Sequence, residues 1–190
     1  MSYYPSGAKA TPPLARFTKP GQLLPAEKTV SIITRAADAL GYAHSMGIVH
    51  RDIKPANIMY EPESDTAKVT DFGIARITDS SKTKTGMVLG TPSYMSPEQC
   101  ESLPLKEASD WYSAGVMLYQ VLTGRLPFDG RFHDILHKKL TASPLPIHDY
   151  ATGVPRDLED LCLRLLNPDA TQRPGVTEVL KVARDWTAKV

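Results

Sequence analysis

The chain has 190 residues, 42% apolar and 23% charged, the composition of an ordinary soluble protein and a length suited to one domain that buries roughly 70% of its unfolded surface. Its 22 basic residues nearly cancel 21 acidic ones, which argues against a nucleic-acid or membrane-surface partner. No run approaches the roughly 20 apolar residues of a membrane span, the N-terminus lacks an apolar signal core, and Cys100 and Cys162 stand alone without CxxC spacing, so a cytoplasmic setting is expected.

Residues 1–25 carry Pro5, Pro12, Pro13, Pro20 and Pro25 with Gly7 and Gly21, too many breakers for a long element, and read as a loosely ordered leader. From Ala26 to Ser45, Val30, Ile33, Ala37, Leu40 and His44 recur at steps of three and four, and Gly47 follows where a helix C-cap belongs. A helix is predicted there. The next stretch, "HRDIKPANIMY" at 50–60, packs His, Arg, Asp, Lys and Asn against an apolar run, as a site at a strand edge would. "NIMY" and "AKVT" flank the turn-rich "EPESD", which predicts a hairpin over 57–70 with Asn57 at one strand's start and Asp71 at the other's end. Residues 78–93 are polar and rich in hydroxyls, as in a loop.

The second half reads as helical. Trp111 to Leu122 is apolar nearly all round and is expected to be the axis of the core. Leu158, Leu161, Cys162 and Leu165 mark another helix, and Val176, Val179, Leu180 and Ala183 mark a last one after Pro174. "HDILH" at 133–137 spaces two histidines as a zinc-protease helix does, but Asp replaces Glu and only His148 offers a third ligand, so histidines on a charged face are expected.

Asp52, Asn57 and Asp71 thus fall on one edge, gathered by a loop and a hairpin. Such oxygen ligands suit Mg²⁺, which prefers one or two carboxylates completed by phosphate oxygens, as phosphoryl transfer requires. The order His50-Arg51-Asp52, Lys54, Asn57, Asp71-Phe72-Gly73 and Ser96-Pro97-Glu98 matches the protein-kinase template H-R-D, N, D-F-G and A-P-E. The sequence resembles the C-terminal lobe of protein kinases. "HRDIKPANIM", "VTDFGIAR", "GTPSYMSPEQ" and "LTGRLPF" are most similar to bacterial Ser/Thr kinases of the eukaryotic type, over about residues 22–190, with 1–21 a leader or hinge remnant.

The resemblance implies a mainly α lobe, a helical bundle with a small catalytic β-hairpin, working with ATP and Mg²⁺ on Ser/Thr hydroxyls of protein substrates. It makes Asp52 the catalytic base and sets Lys54 beside the γ-phosphate. Asn57 and Asp71 become metal ligands, Met59 the floor under the adenine, and Gly73 the site of a sharp turn. His50 and Phe72 become packing residues. Asp110 would hydrogen-bond the catalytic-loop backbone, an N-cap role being the competing or additional reading. Glu98 and Arg173 would form a buried ion pair. Thr91 would shape the substrate pocket. Arg51 would receive a phosphate on Thr83 or Thr85, against the plainer reading of "SSKTKT" as a solvated linker.

The template's other half, a Gly-rich loop, a strand lysine and its helix glutamate, has no counterpart in the 190 residues. The expectation is therefore that the N-terminal β-lobe is absent from this chain, and either missing or separately encoded. The isolated chain would then be inactive or very weakly active. Two functions follow: the catalytic lobe of a Ser/Thr kinase, or a catalytically silent docking or scaffold module of kinase origin.

Overall fold

A computed structural model describes residues 11–72 and 92–187. Gly73, Thr83, Thr85 and Thr91 lie outside the described residues, so the expectations placed on them are not addressed by the fold.

Helix α1 spans Ala26–Ser45 and buries the predicted face, Val30, Ile33, Ala37, Leu40 and His44. Its end is set by backbone chemistry. Gly47 adopts φ 73°, and the N–H groups of Gly47 and Ile48 return to the carbonyls of His44 and Ala43 at 2.9 Å each. This left-handed cap satisfies the last carbonyls and turns the chain toward residue 50. The hairpin forms as predicted: β1 (Ile58–Glu61) and β2 (Thr66–Val69) pair antiparallel with Ile58 opposite Val69 and Glu61 opposite Thr66.

The remaining helices are α2 (Pro97–Cys100), α3 (Glu107–Thr123), α4 (Phe132–Thr141), α5 (Arg156–Leu165) and α6 (Val176–Thr187). Helix α3 is buried on every side from Ser109 to Tyr119 and packs against α1 and α5, while α6 packs along α1. A side chain at Gly115 would place its Cβ 2.8 Å from the Cβ of Leu165, so glycine is what lets α3 and α5 touch. One continuous core runs from Leu14 through α1, β1, α3 and α5 to Trp186. Over the described residues the fold is thus mainly helical with one two-stranded sheet, the architecture of a kinase C-terminal lobe. Among the described residues no helix is long and apolar enough to cross a membrane.

Two expectations need correction. The leader is not loose over its described part: Tyr60 N–H donates to Pro12 O at 2.9 Å, Pro13 bridges Met59, and a 3-10 turn at Leu14–Phe17 buries Leu14 completely. Phe17 meets the Tyr60 ring edge-on at 5.8 Å. Prolines forbid a helix, but an extended segment on a strand edge uses only their carbonyls, and Leu14 supplies the apolar anchor. Asp110, for its part, is not an N-cap. Helix α3 begins at Glu107, because the polar run Glu-Ala-Ser-Asp forms its first turn ahead of the apolar stretch.

Candidate active site

Residues 50–57 form a loop held from below by α3. The fully buried Asp110 accepts the backbone N–H of His50 on Oδ2 at 2.8 Å and that of Arg51 on Oδ1 at 2.7 Å; His44 Nε2 meets Oδ2 at 2.8 Å. One carboxylate thus fixes two consecutive amides. Arg51 carries φ 68°, a left-handed conformation that costs a non-glycine residue about 1–2 kcal/mol and persists where the surroundings over-determine it. His50 is wholly buried. Its Nε2 pairs with Thr70 O at 2.9 Å and its Nδ1 accepts the Asp52 N–H at 3.3 Å, which assigns a neutral ring protonated on Nε2. The Phe72 ring lies 4.6 Å from it, so both side chains pack as supports.

The loop presents Asp52, Lys54 and Asn57 together. Lys54 Nζ lies 2.8 Å from Asp52 Oδ2, and Asn57 Nδ2 donates to Asp52 O at 2.8 Å and to Oδ2 at 3.1 Å. Both partners of the Asn57 amide nitrogen are pure acceptors, so its orientation is fixed and Oδ1 faces away. Asp71 is brought alongside by Thr70, whose N–H and Oγ1 both donate to Asn57 O, at 2.9 and 3.1 Å. Asp71 is itself left-handed, φ 57°, and exposed. Met59 is half-buried beside Pro13, on the ribbon face opposite Ile58 and Tyr60.

The donor set can be tested against a metal from this geometry. Asn57 Oδ1 and Asp71 Oδ1 accept no hydrogen bond among the described residues, and both are hard oxygen donors. No group of three or more His, Cys, Asp or Glu among the described residues is arranged to hold a metal, which leaves His133 and His137 as exposed side chains on α4. A pair of oxygens without a full cage fits Mg²⁺ rather than a zinc-type centre.

Beyond the loop, Arg173 is buried and uses all five N–H bonds. Two go to Glu98 (Nη1 to Oε1, 2.7 Å; Nη2 to Oε2, 2.9 Å), and three to the carbonyls of Asn167, Ala108 and Pro168. Ser109 also donates to Glu98 at 2.8 Å. Burial pushes the Glu98 carboxyl up, but hydrogen bonds from Arg173, its own amide and Ser109, with the Arg173 charge, outweigh that and pull it down to about 2. The short helix α2 opens with a capping box between Ser96 and Gln99, and Gln99 Nε2 reaches Arg51 O at 2.8 Å. Arg51, Asp52, Tyr94, Met95 and Gln99 line one small cavity, so residues 94–99 abut the loop at 50–57. Sequence reasoning missed Gln99, which carries no motif signal of its own, and Lys139, which stands in an ordinary "HKKL" run.

The protein kinase domain model matches residues 3–184. The chain belongs to the protein kinase family. Its curated relatives are bacterial serine/threonine-protein kinases, which places it with the eukaryotic-type Ser/Thr group. Pkn3 of Myxococcus xanthus is 42% identical over 81% of this chain and 30% of its own length. PkaA of Streptomyces coelicolor is 36% identical over 91% of the chain and 32% of its own length, and PknB of Mycobacterium tuberculosis is 41% identical over 75% and 24%. The kinase lobe described here therefore spans about a third or less of each of these relatives.

Proposed function

We propose that this kinase lobe transfers the γ-phosphate of ATP to Ser or Thr hydroxyls of protein substrates once a β-rich N-terminal lobe completes the nucleotide site. The observation that carries this reading is the asymmetry of Asp52. Its Oδ2 is held by Lys54 and Asn57, while Oδ1 accepts nothing among the described residues. Asp52 Oδ1 takes the proton of the incoming hydroxyl as its oxygen attacks the γ-phosphorus and the bond from that phosphorus to the β,γ-bridging oxygen breaks, releasing ADP. Lys54, tethered at Asp52, faces the transferred phosphoryl group as a positive point charge. Asn57 Oδ1 and Asp71 would hold Mg²⁺, which when bound would neutralise charge on the phosphate oxygens. Met59 lies under the adenine. Residues 22–190 are read as the kinase C-terminal lobe, and 1–21 as a leader or hinge remnant.

Control is proposed at Arg51. Its Nε is buried with no hydrogen-bond partner among the described residues, a cation suited to a phosphate on Thr83 or Thr85 of the following segment. Thr91 is assigned to the substrate pocket. Mass spectrometry of the two-lobed enzyme after Mg·ATP should find phosphate on Thr83 or Thr85, and the double alanine variant should lose most activity. Full activity in that variant would remove the switch.

The deciding experiment joins the chain to the β-lobe of a relative and follows radiolabel from Mg·ATP to a Ser/Thr protein. Transfer that disappears in Asp52→Asn is expected. Transfer insensitive to Asp52, or none with tight protein binding retained, would favour the scaffold reading.

A further inference from the structure

Lys139 on α4 is 1% exposed, whereas its neighbour Lys138 pairs with Asp129 at the surface. Its Nζ donates to the carbonyls of Pro92 (2.8 Å), Ser93 (3.0 Å) and Met95, so three N–H bonds meet three acceptors within one four-residue stretch. No carboxylate forms an ion pair with it among the described residues. The charged and titratable groups facing it are Glu98 and Cys100 from α2, and Tyr112 from α3, whose ring lies 5.3 Å from Nζ and 4.9 Å from the Arg173 guanidinium. A buried charge without a counter-ion costs more than an apolar side chain of the same length. Packing alone would be served by methionine. What the ammonium adds is a grip on the backbone of 92–95, the stretch that abuts Arg51 and Asp52 and whose Tyr94 O is held by Ser113 at 2.8 Å.

We propose that Lys139 is a positioning residue for protein-substrate recognition: its ammonium sets the backbone of Pro92–Met95, and so shapes the surface beside Asp52 on which the acceptor polypeptide lies. This rests on the phosphotransfer reading for its consequence, but the grip itself is independent of chemistry. Burial lowers the lysine from its ordinary 10.5 to about 8, with Cys100 and Glu98 opposing. A neutral amine keeps two N–H bonds, so one carbonyl loses its donor as pH rises through that value.

The test is amide exchange by mass spectrometry on the chain as it stands, with Lys139→Met as the variant. Exchange over 92–96, reported by the Met95 N–H that bonds Pro92 O, should rise at least about tenfold, the change expected for one lost charged hydrogen bond, while α3 stays protected. In the unsubstituted chain, openings of 92–95 that leave Lys139 buried should become easier above about pH 8, after correction for intrinsic rates, and the variant should lack that step. Global unfolding moves oppositely: unfolded Lys139 keeps its proton to 10.5, so this group favours the folded state increasingly from about 8 to 10.5. In the two-lobed enzyme, Lys139→Met should raise KM for a peptide about tenfold with kcat and KM for ATP retained. Unchanged exchange at 92–96, a uniform rise across the chain, or an unchanged peptide KM would overturn the proposal. Absence of transfer by the unsubstituted two-lobed enzyme would overturn the phosphotransfer reading instead, and exchange at 92–96 would still decide the grip.

Discussion

At the scale of residues, Asp52 and Asp71 are both carboxylates on one edge, but their surroundings differ, and the proposal gives them different work. Asp52 is tied by Lys54 and Asn57, whereas Asp71 sits in a left-handed conformation just after Thr70, which bonds the Asn57 backbone carbonyl. In the two-lobed enzyme Asp52→Asn should lower kcat by about 10²–10⁴-fold, the usual worth of a general base, with ATP affinity retained. Asp71→Ala should weaken Mg·ATP as well, measured by calorimetric titration; equal effects of both on nucleotide affinity would reverse the roles. These three oxygen-bearing side chains were legible because each sits at a fixed offset in a motif. Lys139 was not, since burial of one lysine in a pair depends on the helix's phase against the segment 92–95. The hydroxyl of Tyr112 gives a third expectation. It is buried with no hydrogen-bond partner among the described residues, while its ring serves Lys139 and Arg173. Tyr112→Phe should therefore be neutral or stabilise by up to about 1 kcal/mol in urea titrations, because removing an unsatisfied group restores nothing to be lost.

At the scale of elements, the helix over Ala26–Ser45 and the hairpin were readable in full because apolar period and turn chemistry agree there. Helix α3 was readable in its apolar part only. Its polar first turn hid the true start, whereas the bonds from Asp110 back to residues 50 and 51 were expected from the family resemblance. The contact between α3 and α5 depends on Gly115. Alanine there gains about 1 kcal/mol of helix propensity but meets Leu165 Cβ, an overpacking that costs about 1–3 kcal/mol, so Gly115→Ala should lower the melting temperature. The Glu98–Arg173 pair joins α2 to the turn before α6. With the folded carboxyl at about 2 against an ordinary 4.5, the surroundings of the Glu98 carboxylate, Arg173, its own amide and Ser109 together, contribute about 3 kcal/mol at pH above 4.5, lost as pH falls toward 2. The Arg173 side chain is 0% and that of Glu98 14% exposed, so little of this is screened by solvent. Denaturant titrations should show Glu98→Gln destabilised at neutral pH and flatter in its acid dependence than the unsubstituted chain.

At the scale of the whole molecule, one core unites residues from Leu14 to Trp186, and a chain with one core should unfold as one unit. Far- and near-ultraviolet circular dichroism should give coincident transitions, and two separated melts would contradict the single core. The path of residues 11–18 was the part of the molecule least visible in the sequence, because proline content reports what a segment cannot form and is silent on what it can lie against. That path also governs how copies of the chain meet. One flank of β1 pairs with β2, and the other receives Pro12 and Pro13, with Tyr60 N–H bound to Pro12 O. A proline ring has no N–H to offer outward, so a strand from a second molecule finds no ladder to extend. The β1 flank of the ribbon is thereby sealed against cross-β growth. A chain shortened by its first 18 residues should expose that flank, bind amyloid dyes and precipitate on mild warming, while the full chain stays dispersed.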